Sequence, residues 1–372
     1  MKKNFILLIL FCLLGSRLCA QELYKGVPVI KASSNLADYR FGNELIKGNW
    51  IISPNIAYDS LFIRCYSESE DAGFYTDLDS ISFNLQPGKS RNFYVLLGDT
   101  AYAYTVIKAI APDYSILRFD TAGTNSELKF WYEQNGDNEY LNTLRSKYPV
   151  DSLILNASSD TERVLRILHW VHIQWKHDGT QSPKKNDALS ILEEVKAGGR
   201  FPCFAYAIVT SACLNSVGLK SRVLYLKAKD VETTTVSPGH VVNEVYLNDL
   251  KKWAYIDPQF DVMPFLGGSP VNGIEFQNAI NNGFRKLEIR SLSGTSKIAY
   301  LDFVYPYLYY FNFSFDNRIG ISFTRNSING KSHLMLVPLG APNPTKITMY
   351  NLKIDYCIYT NSIKDFYSEP AQ

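Results

Sequence analysis

No part of this chain gathers its basic residues into a stripe, and a formal net charge of +2 leaves little to attract a polyanion. Nucleic acid is excluded as a substrate on that ground, because phosphate contacts need clustered Lys and Arg. Cysteine is sparse: six in 372 residues, with no CxxC spacing. Cys65, Cys203, Cys213 and Cys357 are too scattered for a disulfide framework, so at least one free thiol is expected. After the N-terminus no apolar run approaches the length of a membrane span. Repeats and Gly/Ser linkers are also missing, so domain limits are soft by about ten residues. No set of His, Cys and carboxylate stands at ligand spacing, so neither metal nor cofactor is expected. The acidic run Ser67 to Asp71 lacks EF-hand spacing and reads as a solvated turn.

What is present begins with Lys2 and Lys3, an apolar run from Phe5 to Leu14, and small or moderately polar residues through Ala20. Residues 1–20 read as a secretory signal peptide, which places the mature chain in the periplasm, on the cell surface or outside the cell. Leu18 is too large for the usual lipoprotein site, so anchoring at Cys19 is the weaker reading. With 46% hydrophobic residues the rest can bury a sizeable core. From Gln21 to Ile110 the pattern is alternating and strand-like, as in Ile81 to Leu85, with a Gln86-Pro87-Gly88 turn. Residues 21–120 are expected to form an N-terminal β-sandwich domain.

Past Asp120 the period changes. Ser159 answered by Glu162 is a capping box, and Val164, Leu165, Leu168 and Val171 repeat at helical spacing behind it. His169, His172 and His177 read as amphipathic filler. A short helix, Ala188 to Val195, stops at Gly198-Gly199. The next opens at Pro202, a residue suited to the first turn, with Cys203 beside it. A helix N-terminus offers unpaired N–H donors and partial positive charge, which favour a thiolate. Cys213, inside the same helix, reads as packing.

The strand Ser221 to Leu226 follows, then His240 to Leu247 and Trp253 to Asp257. If Asn248-Asp249 form a two-residue hairpin loop, Leu247 pairs with Leu250 and His240 falls directly opposite Asp257. Cys, His and Asp in that order are the parts of a thiol acyl-transfer site: nucleophile, base, and the carboxylate that orients the imidazole. The remaining segment looks β-rich, with the aromatic run Tyr300 to Phe315 as sheet core or a binding face, and Ile321 to Phe323 as a further strand.

At this point the sequence resembles the transglutaminase-like superfamily, papain-like in its core. The resemblance lies in Gly199 to Ala207 continuing to Val223, in Gly239-His240 to Tyr246, and in Trp253 to Pro258. It implies Cys203 as nucleophile, His240 as base and Asp257 as orienting carboxylate. It also implies an α+β fold in which the cysteine-bearing helix packs on an antiparallel sheet. The chain departs from the family's usual pattern at Pro202, Val241-Val242 and Gln259. By this reading residues 121–285 are the transglutaminase-like core and residues 286–372 a C-terminal β-rich, sandwich-like domain. The expected activity is attack on protein or peptide amides through a thioester, by hydrolysis or transamidation. The alternative is an inactive scaffold whose flanking aromatic β-structure binds peptide or glycan.

Overall fold

The structure is a computed structural model that describes residues 22–370, apart from 43, 112–115, 126, 135–137 and 321–323. The signal-peptide reading of residues 1–20, Cys19 included, and the strand expected at Ile321 to Phe323 lie outside the described residues. Among those described, no helix is long and apolar enough to cross a membrane. The chain divides into two compact units, residues 1–111 and 112–372.

The first unit is all β. Its strands are β1 (Leu23–Tyr24), β2 (Val27–Ala32), β3 (Leu36–Phe41), β4 (Glu44–Ile51), β5 (Asp59–Arg64), β6 (Glu70–Tyr75), β7 (Ser80–Leu85), β8 (Ser90–Leu97) and β9 (Ala101–Ile110). They make one sheet in the order β1-β2-β8-β9-β5 and another in the order β4-β3-β6-β7. Alternation places Phe74 of one sheet and Phe93 of the other inward, both fully buried, with ring centroids 5.1 Å apart.

In the second unit the helices are α1 (Glu139–Lys147), α2 (Val150–Ile154), α3 (Asp160–His172), α4 (Ala188–Lys196) and α5 (Cys203–Ser216). Strands β10 (Ser221–Lys227), β11 (Gly239–Leu247) and β12 (Lys252–Ile256) come next, then β13 (Met263–Leu266) and β14 (Ser269–Pro270). Helix α6 (Gly273–Asn282), β15 (Leu287–Arg290) and helix α7 (Lys297–Val304) follow. The chain ends with β16 (Tyr310–Ser314), β17 (His333–Leu336), β18 (Lys346–Ile347), β19 (Leu352–Lys353), β20 (Cys357–Thr360) and the short α8 (Ile363–Phe366).

One six-stranded sheet, β12-β11-β10-β16-β17-β20, runs through this unit. The C-terminal β-rich segment, residues 286–372, supplies three of its strands, so β10 has partners on both sides. On one face of β11, Asn243 donates to the Ala207 carbonyl of α5 at 3.0 Å, beside the core formed by Val245, Leu247, Ala254 and Ile256. On the other face, Glu244 accepts from the Gly273 backbone N–H of α6 at 2.9 Å. The sheet is thus covered on both faces by helices.

Two expectations need correction. Part of the aromatic run read as sheet is helix: Ser296 caps α7 by accepting from Ala299 N–H, and Tyr300, Leu301 and Val304 are buried at helical spacing. Strand begins only at Tyr310. The second concerns the hairpin. Leu247 pairs with Lys252 and Asn243 with Ile256, so four residues make the turn and the register is shifted by two. The cause is tertiary. The Asp160 carboxylate at the start of α3 accepts from the backbone N–H groups of Asn248 and Asp249, at 2.8 and 3.3 Å. Lys251 takes the positive φ that closes the turn.

Candidate active site

Helix α4 ends in a motif that fixes where α5 can begin. Gly198, at φ +95°, donates its N–H to the Val195 carbonyl, and Gly199 donates to Glu194, both at 2.9 Å. These are the two bonds of a Schellman stop. A Cβ on Gly199 would stand 2.9 Å from the Glu194 carbonyl oxygen, so the close approach needs glycine. The segment that follows is tied to the buried Trp175, whose indole N–H donates to the Phe201 carbonyl at 3.1 Å. Tyr206 stacks on that indole with centroids 4.0 Å apart and donates its hydroxyl to the Trp175 carbonyl.

Pro202, extended at φ −77° and ψ 179°, is the cap residue itself, one position earlier than the sequence reading put it. Cys203 is therefore the first residue of α5. No side chain caps this terminus; the Ala205 N–H turns back to the Pro202 carbonyl at 3.0 Å, and the Cys203 N–H opens the helix. The thiol is half-buried, while Cys65, Cys213 and Cys357 are buried; all four are free. Burial pushes Cys213 up to about 12, which keeps it protonated and inert.

His240 sits at the start of β11, opposite Leu226. Its neighbour Gly239 is pressed against β10, where a Cβ would lie 2.2 Å from the Leu226 carbonyl oxygen. Only glycine permits this approach, and it sets the depth of the histidine. The imidazole is 3% exposed and donates from Nε2 to Asp257 Oδ2 at 2.7 Å. The Cys203 side chain is near enough to act on the same ring and favours its charged form. Phe303 and Phe260 stand edge-on to it, at 5.1 and 6.1 Å between centroids. The three residues singled out from sequence are thus brought together. The expected register was wrong by two, which leaves parity intact, so His240 and Asp257 still share a face. They meet diagonally instead of directly opposite.

Asp257 is fully buried and held from three sides. Besides His240, the Tyr300 hydroxyl donates to Oδ2 at 3.0 Å and the Gln259 backbone N–H donates to Oδ1 at 3.0 Å. The turn from Asp257 to Val262 closes by reciprocal backbone bonds of 2.8 and 3.0 Å. The reading of His169 and His172 as filler is corrected here. They lie on one face of α3 and clamp this turn, His169 Nδ1 to Asp261 Oδ2 and His172 Nδ1 to the Gln259 carbonyl, both at 2.9 Å. Their i, i+3 spacing was the available signal; what they would touch was not. Tyr300 carried no signal, being 43 residues past Asp257 in an aromatic run. Among the described residues no His, Cys and carboxylate cluster is arranged to hold a metal ion.

The electrostatics follow from this geometry. Burial alone would push the His240 imidazole down. The charge and hydrogen bond of Asp257, joined by the Cys203 side chain, overcome it and raise the group from 6.5 to about 10. A group raised in the folded state contributes stability that is complete below its unfolded value and is lost as pH rises through the folded one. Buried Lys227, pushed down to about 8, acts with the opposite sign, so total stability is not the quantity to read. The difference in denaturant midpoint between wild type and His240→Gln isolates the imidazole. That difference is expected to change steadily against wild type between about pH 7 and pH 10. A gap that stays constant over this window would show that the imidazole is not raised.

Residues 149–258 match the model of the transglutaminase-like superfamily. No curated protein matches the chain. Among solved structures it is similar to a candidate cysteine protease from Cytophaga hutchinsonii, at 12% identity and a TM-score of 0.28, over 47% of this chain and 55% of that one. It is also similar to a TGase at 17% identity and a TM-score of 0.24, over 32% and 31%. Red sea bream transglutaminase matches at 12% identity and a TM-score of 0.23, over 51% and 38%. The chain thus spans roughly a third to just over half the length of these structures.

Proposed function

We propose that this chain, which carries a transglutaminase-like domain over residues 149–258, is an exported cysteine acyl-transfer enzyme acting on protein or peptide amides. The observation that carries the reading is one imidazole joined to two partners. His240 holds the buried Asp257 through Nε2 at 2.7 Å, and its charged form is favoured by the Cys203 side chain, which opens an uncapped helix.

In this mechanism Cys203 Sγ attacks the amide carbonyl carbon and the backbone N–H of Cys203, at the start of α5, receives the oxyanion. Preorganised donors of this kind contribute about 2.7–4 kcal/mol to the transition state where one has been removed. His240 passes its proton to the leaving amine, and a thioester remains on Cys203. Water or a second amine then attacks the thioester and gives its proton to His240 as Sγ departs. Asp257 keeps the imidazole in one orientation throughout and does not itself take the proton. Hydrolysis and transamidation share every step but the last acceptor.

Iodoacetamide at limiting concentration is expected to label Cys203 well before Cys213, whose thiol is buried and pushed up to about 12. Peptide mass mapping reads the ratio, and equal labelling of the two would overturn the nucleophile assignment. A glutamine-type electrophile should then leave an adduct on Cys203 in the wild type and none in Cys203→Ala. Fast labelling of Cys203 with no turnover on any amide panel would instead favour the peptide- or glycan-binding scaffold.

A further inference from the structure

The carboxylate that orients His240 is itself oriented from outside the segment matched to the family. Tyr300 lies on α7, fully buried beneath the sheet, with its hydroxyl 3.0 Å from Asp257 Oδ2. That is the same oxygen that meets His240 Nε2. The Tyr300 hydroxyl is in turn 2.8 Å from the hydroxyl of Tyr255, another fully buried residue, on β12. Each phenol carries one proton, and an ionised carboxylate can only accept. The order of donation is therefore fixed: Tyr255 to Tyr300, Tyr300 to Asp257. Burial pushes both phenols well up, so they stay protonated and remain donors over the working range. Phe276 stacks on Tyr300 and Phe260 packs against it at a tilt, at 6.2 and 5.4 Å between centroids, which restrains the buried ring.

We propose that Tyr300, backed by Tyr255, is a positioning residue of the thiol site: it holds the Asp257 carboxylate on the His240 axis so that the imidazolium partner of Cys203 persists. This rests on the reading of Cys203, His240 and Asp257 as the reacting set. A carboxylate held only by Gln259 N–H and the imidazole has one hydrogen bond fewer to resist rotation about its side-chain bonds. Each turn away from His240 weakens the charged partner of the thiol. Tyr300 supplies that bond at the cost of burying two phenols, a cost met by the chain of hydrogen bonds they form.

The test needs no substrate. The rate at which iodoacetamide alkylates Cys203 is followed against pH in the wild type, Tyr300→Phe, Tyr255→Phe and Asp257→Asn, with thermal unfolding of each. In Tyr300→Phe the alkylation rate at neutral pH is expected to fall about three- to tenfold, the worth of one hydrogen bond. Its pH profile should move away from the wild type's in the same direction as that of Asp257→Asn, but less far. Tyr255→Phe, which keeps the Tyr300 hydroxyl, should shift the same way by a smaller amount, and it serves if Tyr300→Phe does not fold. A purely structural role would lower the unfolding temperature and leave the profile in place. If the tyrosine variants superimpose on the wild type while Asp257→Asn is shifted, the inference fails and the triad stands. If Asp257→Asn also superimposes, the reading beneath it fails and the inference goes with it.

Discussion

Replacing Cys203 with Ala is expected to remove amide turnover while leaving the fold in place. The thiol is half-buried at a helix start, where a small residue is readily accommodated, so the stability cost should stay near 1 kcal/mol. The loss in kcat should be about five to six orders of magnitude, as for nucleophiles of comparable sites, and His240→Gln should lose nearly as much. Asp257→Asn is expected to cost about four orders, since it orients without touching the reacting carbon. The triple variant should be no worse than Cys203→Ala alone, because the three residues act as a unit. Turnover on a panel of peptide amides, with circular dichroism to confirm folding, reads all of these. Activity in Cys203→Ala within tenfold of wild type would exclude the proposed chemistry.

The second large effect concerns stability and lies on the same strand as His240. Arg222 and Glu244 form a fully buried ion pair, with Glu244 Oε2 receiving Arg222 Nε at 3.0 Å and Nη2 at 2.6 Å. The other carboxylate oxygen accepts from Gly273 N–H and the Tyr367 hydroxyl, each at 2.9 Å. Arg222 also donates to the Phe366 carbonyl at 2.9 Å, and its guanidinium lies 3.7 Å from the ring centre of Phe313. This one pair ties β10, β11, the start of α6 and the C-terminal segment together. Glu244→Ala would strand a buried guanidinium and two donors, at a cost of about 3–5 kcal/mol. Thermal unfolding should fall by roughly 10 °C for a unit of this size. Replacing both partners with Met should cost less than either single change, because no charge is then left unpaired. A Glu244→Ala variant that unfolds within about 2 °C of wild type would show that the network is not as dry as its geometry implies.

The residues of the proposed site could be picked out in the sequence because each signal is local. A glycine pair stops one helix, a proline caps the next, and the cysteine after it follows from the same few residues. Alternation along β11 set the face of His240 without any knowledge of the partner strand. Parity along β12 likewise put Asp257 on the face it occupies. These are properties of backbone sterics and of side-chain period, which act over a handful of neighbours.

Contacts between residues far apart in the chain decided the rest. The hairpin took four turn residues because Asp160, some 88 residues earlier, binds the backbone of that turn. The C-terminal strands completed the central sheet because β10 had an edge to cover. Tyr300 reached Asp257 because the run containing it folds as helix α7 under the sheet, where sequence alone read strand. His169 and His172 became a clamp on the Asp257 turn once α3 was laid across it. Cys203, His240 and Asp257 were chosen by local chemistry. What holds them in place is set by packing, which no window of sequence contains.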